Sequence, residues 1–122
     1  MSMPTDSSAA VIDVTDATFE TEVVQRSNDV PVIVDLWAPW CGPCKQLGPI
    51  IEDVVAATEG QVVLTKVNVD ENPAIAQRFE AYSIPTMVVL QKGRPVDRIV
   101  GAMPKGDLTV RLSPYLLRQP AA

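Results

Sequence analysis

Apolar residues along this chain alternate between two spacings, one of strands and one of helices. Val11 to Val14 is a short apolar run that predicts a strand. Thr15 or Asp16 can cap a following helix to about Arg26, with Phe19 and Val23 four apart on its inner face. Pro31 to Trp37 is almost continuously apolar, as expected of a strand covered on both faces of its sheet. From the two cysteines to about Thr58 the period becomes helical, with Leu47, Ile50, Ile51, Val54 and Val55 on one stripe and Gly60 placed to end it. Pro49 inside that stripe should kink the helix, because it removes one hydrogen bond and crowds the preceding turn. Gly48 before it should loosen the kink.

Gln61 to Val69 predicts another strand, and Asn72-Pro73 a helix start, with Asn as cap and Pro in the first helical position, leading to about Phe79. Thr86 to Gln91 and Val96 to Val100 flank Lys92-Gly93, a hairpin signal. Lys105 to Leu117 places Leu108, Leu112, Tyr115 and Leu116 on one helical face, with Pro114 bending or breaking it. The order β-α-β-α-β-α-β-β-α predicts one α/β domain over residues 11–117. Its central sheet should be mixed, parallel among the early strands and antiparallel in the hairpin, with helices on both faces. Residues 1–10 read as a disordered N-terminal tail and 118–122 as a C-terminal tail.

Composition narrows the chemistry. A length of 122 residues suits one core. The net charge of −5 and the lack of a Lys/Arg run argue against nucleic acid or an anionic membrane as partner. There is no histidine, which removes Ser-His and Cys-His catalysis and most zinc sites; two cysteines supply at most half of a four-cysteine site, so no metal is expected. Met1 to Ala10 lacks a basic start followed by an apolar stretch, and the apolar run around Val30 to Trp40 is broken by Asp35 and two prolines, so the expected location is the cytoplasm. In a reducing compartment a close cysteine pair is catalytic or metal-binding rather than a static staple.

That pair is Cys41 and Cys44, where a buried strand gives way to a helix. Residues three apart in a first helical turn lie roughly 5–6 Å apart, within reach of a disulfide. Cys41 should see the free N–H groups and positive dipole end of the helix, which favour thiolate and make it the nucleophile. Cys44, one turn further in, should be more shielded and act as the resolving thiol. Pro43 stiffens the first turn, and Gly42 lets another chain approach the sulfur. Asp35 is a carboxylate in a strand otherwise built for burial, so its pKa should be raised towards that of a general base able to take and return the Cys44 proton. It could also be a structural carboxylate satisfied by a lysine, and the two readings can both hold. Lys66 is the candidate lysine, although strand alternation alone also permits a solvated side chain and spacing does not establish the pairing.

The segment Val34-Asp-Leu-Trp-Ala-Pro-Trp-Cys-Gly-Pro-Cys-Lys45 closely resembles the thioredoxin family, and the likeness runs from about Val11 to Leu117. Further matches are Pro49, Lys66 before Asn68-Val-Asp, Ile84-Pro85-Thr86, Gly93 and Val100-Gly101-Ala102. The resemblance implies the thioredoxin fold, a redox-active Cys41–Cys44 disulfide, and protein-disulfide reduction contributing to cell redox homeostasis. It implies a cis bond before Pro85 facing the disulfide, and an apolar substrate patch of Trp40, Ile84, Gly101 and Ala102 around Cys41. It also implies that no cofactor is bound, electrons coming from an NADPH-dependent flavoprotein thioredoxin reductase, with disulfide-containing proteins as partners and the chain a monomer. Leu36 and Leu90 stand where the family often has Phe. Three other readings remain open at this level: a client-binding domain of a larger chaperone-like protein, an exported isomerase or oxidase, and a redox-indifferent binding subunit. The missing export signal and Pro43, where exported relatives usually have His, argue against the second.

Overall fold

Strand parity decides which side chain meets which layer, and it does so most clearly in the central strand. The computed structural model describes residues 11–116; both expected tails and Leu117 lie outside the described residues. Among the described residues, five strands form one sheet in the order β1-β3-β2-β4-β5. They are β1 (Val11–Asp13), β2 (Val32–Trp37), β3 (Val63–Asn68), β4 (Thr86–Gln91) and β5 (Arg94–Val100). β3 pairs in parallel with β1 and β2, whereas β4 is antiparallel to both β2 and β5. The three regular helices among the described residues are α1 (Gly42–Ala56), α2 (Pro73–Arg78) and α3 (Lys105–Leu116). The expected mixed sheet with helices on both faces is thus present. Its antiparallel character extends one strand further in than the hairpin, to the β2–β4 pair.

Ile33, Leu64, Met87, Val89 and Ile99 face one way and pack under Leu47 and Ile51 of α1 and Leu108 and Leu112 of α3. Val32, Val34, Leu36, Val67, Val88 and Leu90 face the other way, against Phe19, Val23, Ile75 and Phe79. Leu36 and Leu90 fill this second layer and reach no cysteine cluster. Because side chains alternate along a strand, Asp35 shares the face of Ile33 and lies beneath α1. Its register partners are Lys66 on β3 and Met87 on β4.

Local differences from expectation have local causes. The first helical segment is a π-helix over Glu20–Gln25 followed by a 3₁₀ turn over Arg26–Asn28, although Phe19 and Val23 are buried as expected. Neither Thr15 nor Asp16 caps it. The Asp16 carboxylate instead accepts from the Ala74 and Ile75 N–H groups at 3.2 and 3.0 Å, at the start of α2. Asn72 is the cap residue of α2, but its side chain is used elsewhere: it accepts from the Asp16 N–H and donates to the Asn68 carbonyl. The cap therefore comes from 58 residues away in sequence. Asp16→Ala should cost about 1 kcal/mol, read by urea unfolding; an unchanged midpoint would show that Asp16 carries no capping energy.

At the other hairpin end, Lys92 (φ 55°) and Gly93 (φ 79°) both occupy left-handed backbone, the conformation of a two-residue type I′ turn. β5 begins at Arg94, two residues earlier than expected, because Pro95 sits on an edge strand and a bulge opposite Val89/Leu90 absorbs the register shift. Asp97 on β5 accepts hydrogen bonds from Arg111 and Tyr115 of α3, tying that helix to the sheet edge. The Arg111 guanidinium holds the Asp97 carboxyl well below the usual carboxylate range. Pro114 remains inside α3, which continues to Leu116.

Candidate active site

β2 ends at Trp37, and four residues later the chain enters α1 with Cys41 as N-cap. The Cys41 N–H donates to the Ala38 carbonyl at 3.1 Å, which closes the turn between them. The Cys41 sulfur accepts the Cys44 N–H at 3.2 Å, satisfying one of the free donors of the helix start. Pro43 lies in the first turn, where no N–H is needed. Cys41 and Cys44 form a disulfide with a Cα–Cα distance of 5.3 Å, inside the range their spacing predicts. Both cysteines pack with Ala38 in a small cluster flanked by Trp37, Val69 and Ile84.

The expected difference in shielding is not observed: Cys41 is 4% exposed and Cys44 6%. One covalent bond places both sulfurs in the same cluster, so burial alone cannot distinguish them. What distinguishes them is the surroundings. Cys44 lines a cavity of about 240 Å³ together with Asp35, Trp37, Lys45, Gly48, Pro49, Glu52 and Lys66, and Cys41 does not. A larger hollow of about 710 Å³ lies between the C-terminal half of α1 and α3 and contains neither cysteine.

Asp35 is 2% exposed, and its Oδ1 has no hydrogen-bond partner among the described residues. Burial pushes its pKa up to about 6, opposed by the Lys66 ammonium and reinforced by the negative charge of Glu52. The raised pKa inferred from the sequence is therefore present, and its cause is the expected desolvation. The simple alternative of an Asp35–Lys66 ion pair is corrected: the Lys66 Nζ lies 2.8 Å from Glu52 Oε2. Adjacent register positions bring Asp35 and Lys66 side by side, but the long lysine side chain reaches up to α1. Its Nζ also lies 5.9 Å from the centroid of the half-buried Trp37 ring.

Around the cysteines, Trp40 is 68% exposed, and its indole N–H donates to Asp70 Oδ2 at 2.9 Å. Gly42 and Pro43 are exposed, and a side chain at Gly42 would meet nothing within 4 Å. The Ile84-Pro85 peptide bond is cis. Ile84 packs against the cysteine cluster and takes no part in the backbone ladder of β4, whereas the Pro85 carbonyl accepts the Gly101 N–H at 2.8 Å. Gly101, at φ 93°, occupies backbone that favours glycine; Ala102 beside it is exposed.

Two residues of this site were not singled out from sequence. Glu52 follows Cys44 and Gly48 at a spacing of four along α1, which was the available signal. Asp70 ends the Asn68-Val-Asp match after β3, but nothing local points it at Trp40. Among the described residues, no group of three or more His, Cys, Asp or Glu is arranged to hold a metal ion, and no helix is long and apolar enough to cross a membrane.

Comparison with known proteins agrees with this geometry. The thioredoxin family model matches residues 10–113. The chain is 44% identical over 108 residues to thioredoxin 1 of Nostoc sp., covering 88% of this chain and 99% of the relative. It is 46% identical over 103 residues to thioredoxin 1 of Synechococcus elongatus (84% and 94% covered), and 42% identical over 107 residues to thioredoxin of Porphyra purpurea (88% and 98%). The likeness thus extends over nearly the whole of those thioredoxins, which favours the disulfide-reductase reading over a client-binding domain of a chaperone-like protein. Matched from strand to helix around its bonded Cys41–Cys44 pair, the chain belongs to the thioredoxin family and is a thiol–disulfide oxidoreductase.

Proposed function

We propose that the protein reduces disulfides of other proteins in the cytoplasm, with Cys41 as the attacking thiol, Cys44 as the resolving thiol and Asp35 as the base that serves Cys44. The observation that carries this division is the asymmetry around the pair: Cys41 caps the helix, while Cys44 opens onto the cavity lined by Asp35. In the dithiol form, the Cys41 thiolate attacks one sulfur of a substrate disulfide and the other sulfur leaves as a thiolate. The helix start favours the Cys41 anion by its dipole and by the Cys44 N–H that points at the sulfur. Cys44 then gives its proton to Asp35, directly or through one water, and attacks the Cys41 sulfur. The Cys41–Cys44 bond closes, the second substrate thiolate leaves, and Asp35 can return the proton to it. A carboxyl with a pKa of about 6 suits this exchange near neutrality.

The substrate surface is read as exposed Trp40, Gly42 and Pro43, with Ile84, cis-Pro85, Gly101 and Ala102 opposite. The Ile84 backbone, outside the sheet ladder, supports pairing with an extended substrate segment. Trp40 is steadied in this reading by its bond to Asp70. Regeneration is assigned to an NADPH-dependent flavoprotein thioredoxin reductase, and the working unit to a monomer of the domain spanning residues 11–117. Insulin reduction coupled to NADPH and such a reductase tests this electron flow: steady NADPH consumption supports it, and none in the presence of active reductase rejects it.

Cys44→Ser is expected to leave the first step intact and stop the second. The variant should accumulate a Cys41–insulin mixed disulfide, visible by mass under non-reducing conditions and absent from the wild type at steady state. Finding no such adduct would remove Cys44 from the resolving role.

A further inference from the structure

Lys66 lies between two carboxylates on different elements, and its distances record which one holds it. On β3 it is the register neighbour of Asp35, on the same face of the sheet. Its Nζ is nevertheless 2.8 Å from Glu52 on α1, while Asp35 Oδ1 is buried without a hydrogen-bond partner. Glu52 and Lys66 have side chains 44% and 19% exposed, so this ion pair forms the mouth of the cavity and Asp35 its floor. Gly48 stands one helical turn before Glu52, and a Cβ there would lie 3.6 Å from the Lys66 Nζ. That is ordinary van der Waals contact, so the ammonium lies directly against α1 at this turn.

We propose that Glu52 is a positioning residue for the reaction: by holding the Lys66 ammonium at the cavity mouth, it leaves Asp35 unpaired and able to exchange a proton with Cys44. This rests on the reading of Asp35 as the base that serves Cys44. The charged groups lining this cavity with Asp35 are Lys66 from β3 and Lys45 and Glu52 from α1, joined by the Cys44 thiol in the dithiol form. β4 contributes only Met87 at that register position. Lys66 is therefore the neighbouring cation in register with Asp35, and Glu52 the carboxylate that competes for it. An ammonium released to pair directly with a buried carboxylate favours its ionised form and makes it a poorer proton acceptor. Glu52 also acts in the same direction through its own negative charge.

The test is the proton affinity of the Asp35 carboxyl, followed by carbon NMR in the intact oxidised protein. Glu52→Gln should lower its titration midpoint by about one to two pH units. In a Lys66→Met background the same substitution should do much less, because no ammonium remains to be released; such a double-mutant cycle isolates the coupling. An unmoved midpoint in Glu52→Gln would overturn the inference. So would an equal shift in both backgrounds, since Glu52 would then act by its charge alone. The pH profile of mixed-disulfide resolution separates this inference from the base assignment. If Glu52→Gln moves both the midpoint and the profile to lower pH, both stand. If the midpoint moves while the profile does not, the hold of Glu52 on Lys66 stands and Asp35 loses its role as base.

Discussion

Cys41→Ser is expected to abolish insulin disulfide reduction, lowering the rate by about 10³-fold or more. The step needs an anion at the helix start, and a serine hydroxyl placed there remains protonated at neutral pH. The loss should not reflect misfolding. Cys41 is the N-cap of α1, and serine is among the strongest N-cap residues, so the hydroxyl can take over the hydrogen bond from the Cys44 N–H. The sheet and both core layers are built from residues other than the cysteines. Far-UV circular dichroism with the turnover assay on one sample checks both halves. Residual activity near wild type with the fold intact would refute Cys41 as nucleophile.

The second large effect is on stability, and it has the opposite sign from most core substitutions. Asp35 carries a pKa of about 6 in the folded protein against 3.8 when unperturbed. The folded state therefore holds its proton over a pH range in which the unfolded state has lost it. Well below the unperturbed value of 3.8 the group is protonated in both states and costs nothing through ionisation. As pH rises from there to about 6, stability falls, and above 6 the full penalty of a buried carboxylate remains. A difference of about two pH units corresponds to about 3 kcal/mol.

Asp35→Asn removes that ionisation. Urea unfolding of the oxidised proteins at pH 4, 5.5 and 7.5 should give a stability gap that grows with pH in favour of the variant, by up to about 3 kcal/mol. A buried amide has its own hydrogen-bonding cost, which is constant with pH; the growth of the gap is what counts. Parallel stability curves would show that Asp35 is not desolvated as described. The same variant should resolve mixed disulfides more slowly, with an altered pH profile. The wild type thus retains a destabilising carboxyl beneath its cysteines. Under the proposed function, the proton transfer assigned to Asp35 accounts for keeping a group that weakens the fold at neutral pH.

The elements most legible in the sequence were those whose signals are local. The unbroken apolar run of β2, the stripe from Leu47 to Val55 and the Lys92-Gly93 turn each specify their own conformation through periodicity or backbone preference. The cysteine pair was legible for the same reason: three residues of separation at a helix start bring two sulfurs within bonding distance whatever surrounds them. The burial of Asp35 followed from the strand that contains it. The cis bond before Pro85 came from family resemblance, since Ile-Pro alone reads only as a strand start or turn.

Contacts between distant segments were decided by the tertiary structure. Asp16 reads locally as a cap for its own helix, yet it caps α2, because chain packing sets its carboxylate against the free N–H groups of Ala74 and Ile75. The antiparallel placement of β4 beside β2 has no local signature, and it is what sets Met87 rather than a charge on one side of Asp35. Most consequential is Lys66. Its strand position permits a pair with Asp35, but the path of α1 over the sheet offers Glu52 to the same ammonium, and the longer reach is taken. By itself, then, the sequence determined the elements, the redox pair and the buried carboxyl, each fixed by neighbours along the chain. Which charges surround that carboxyl was settled only by packing a helix onto a sheet.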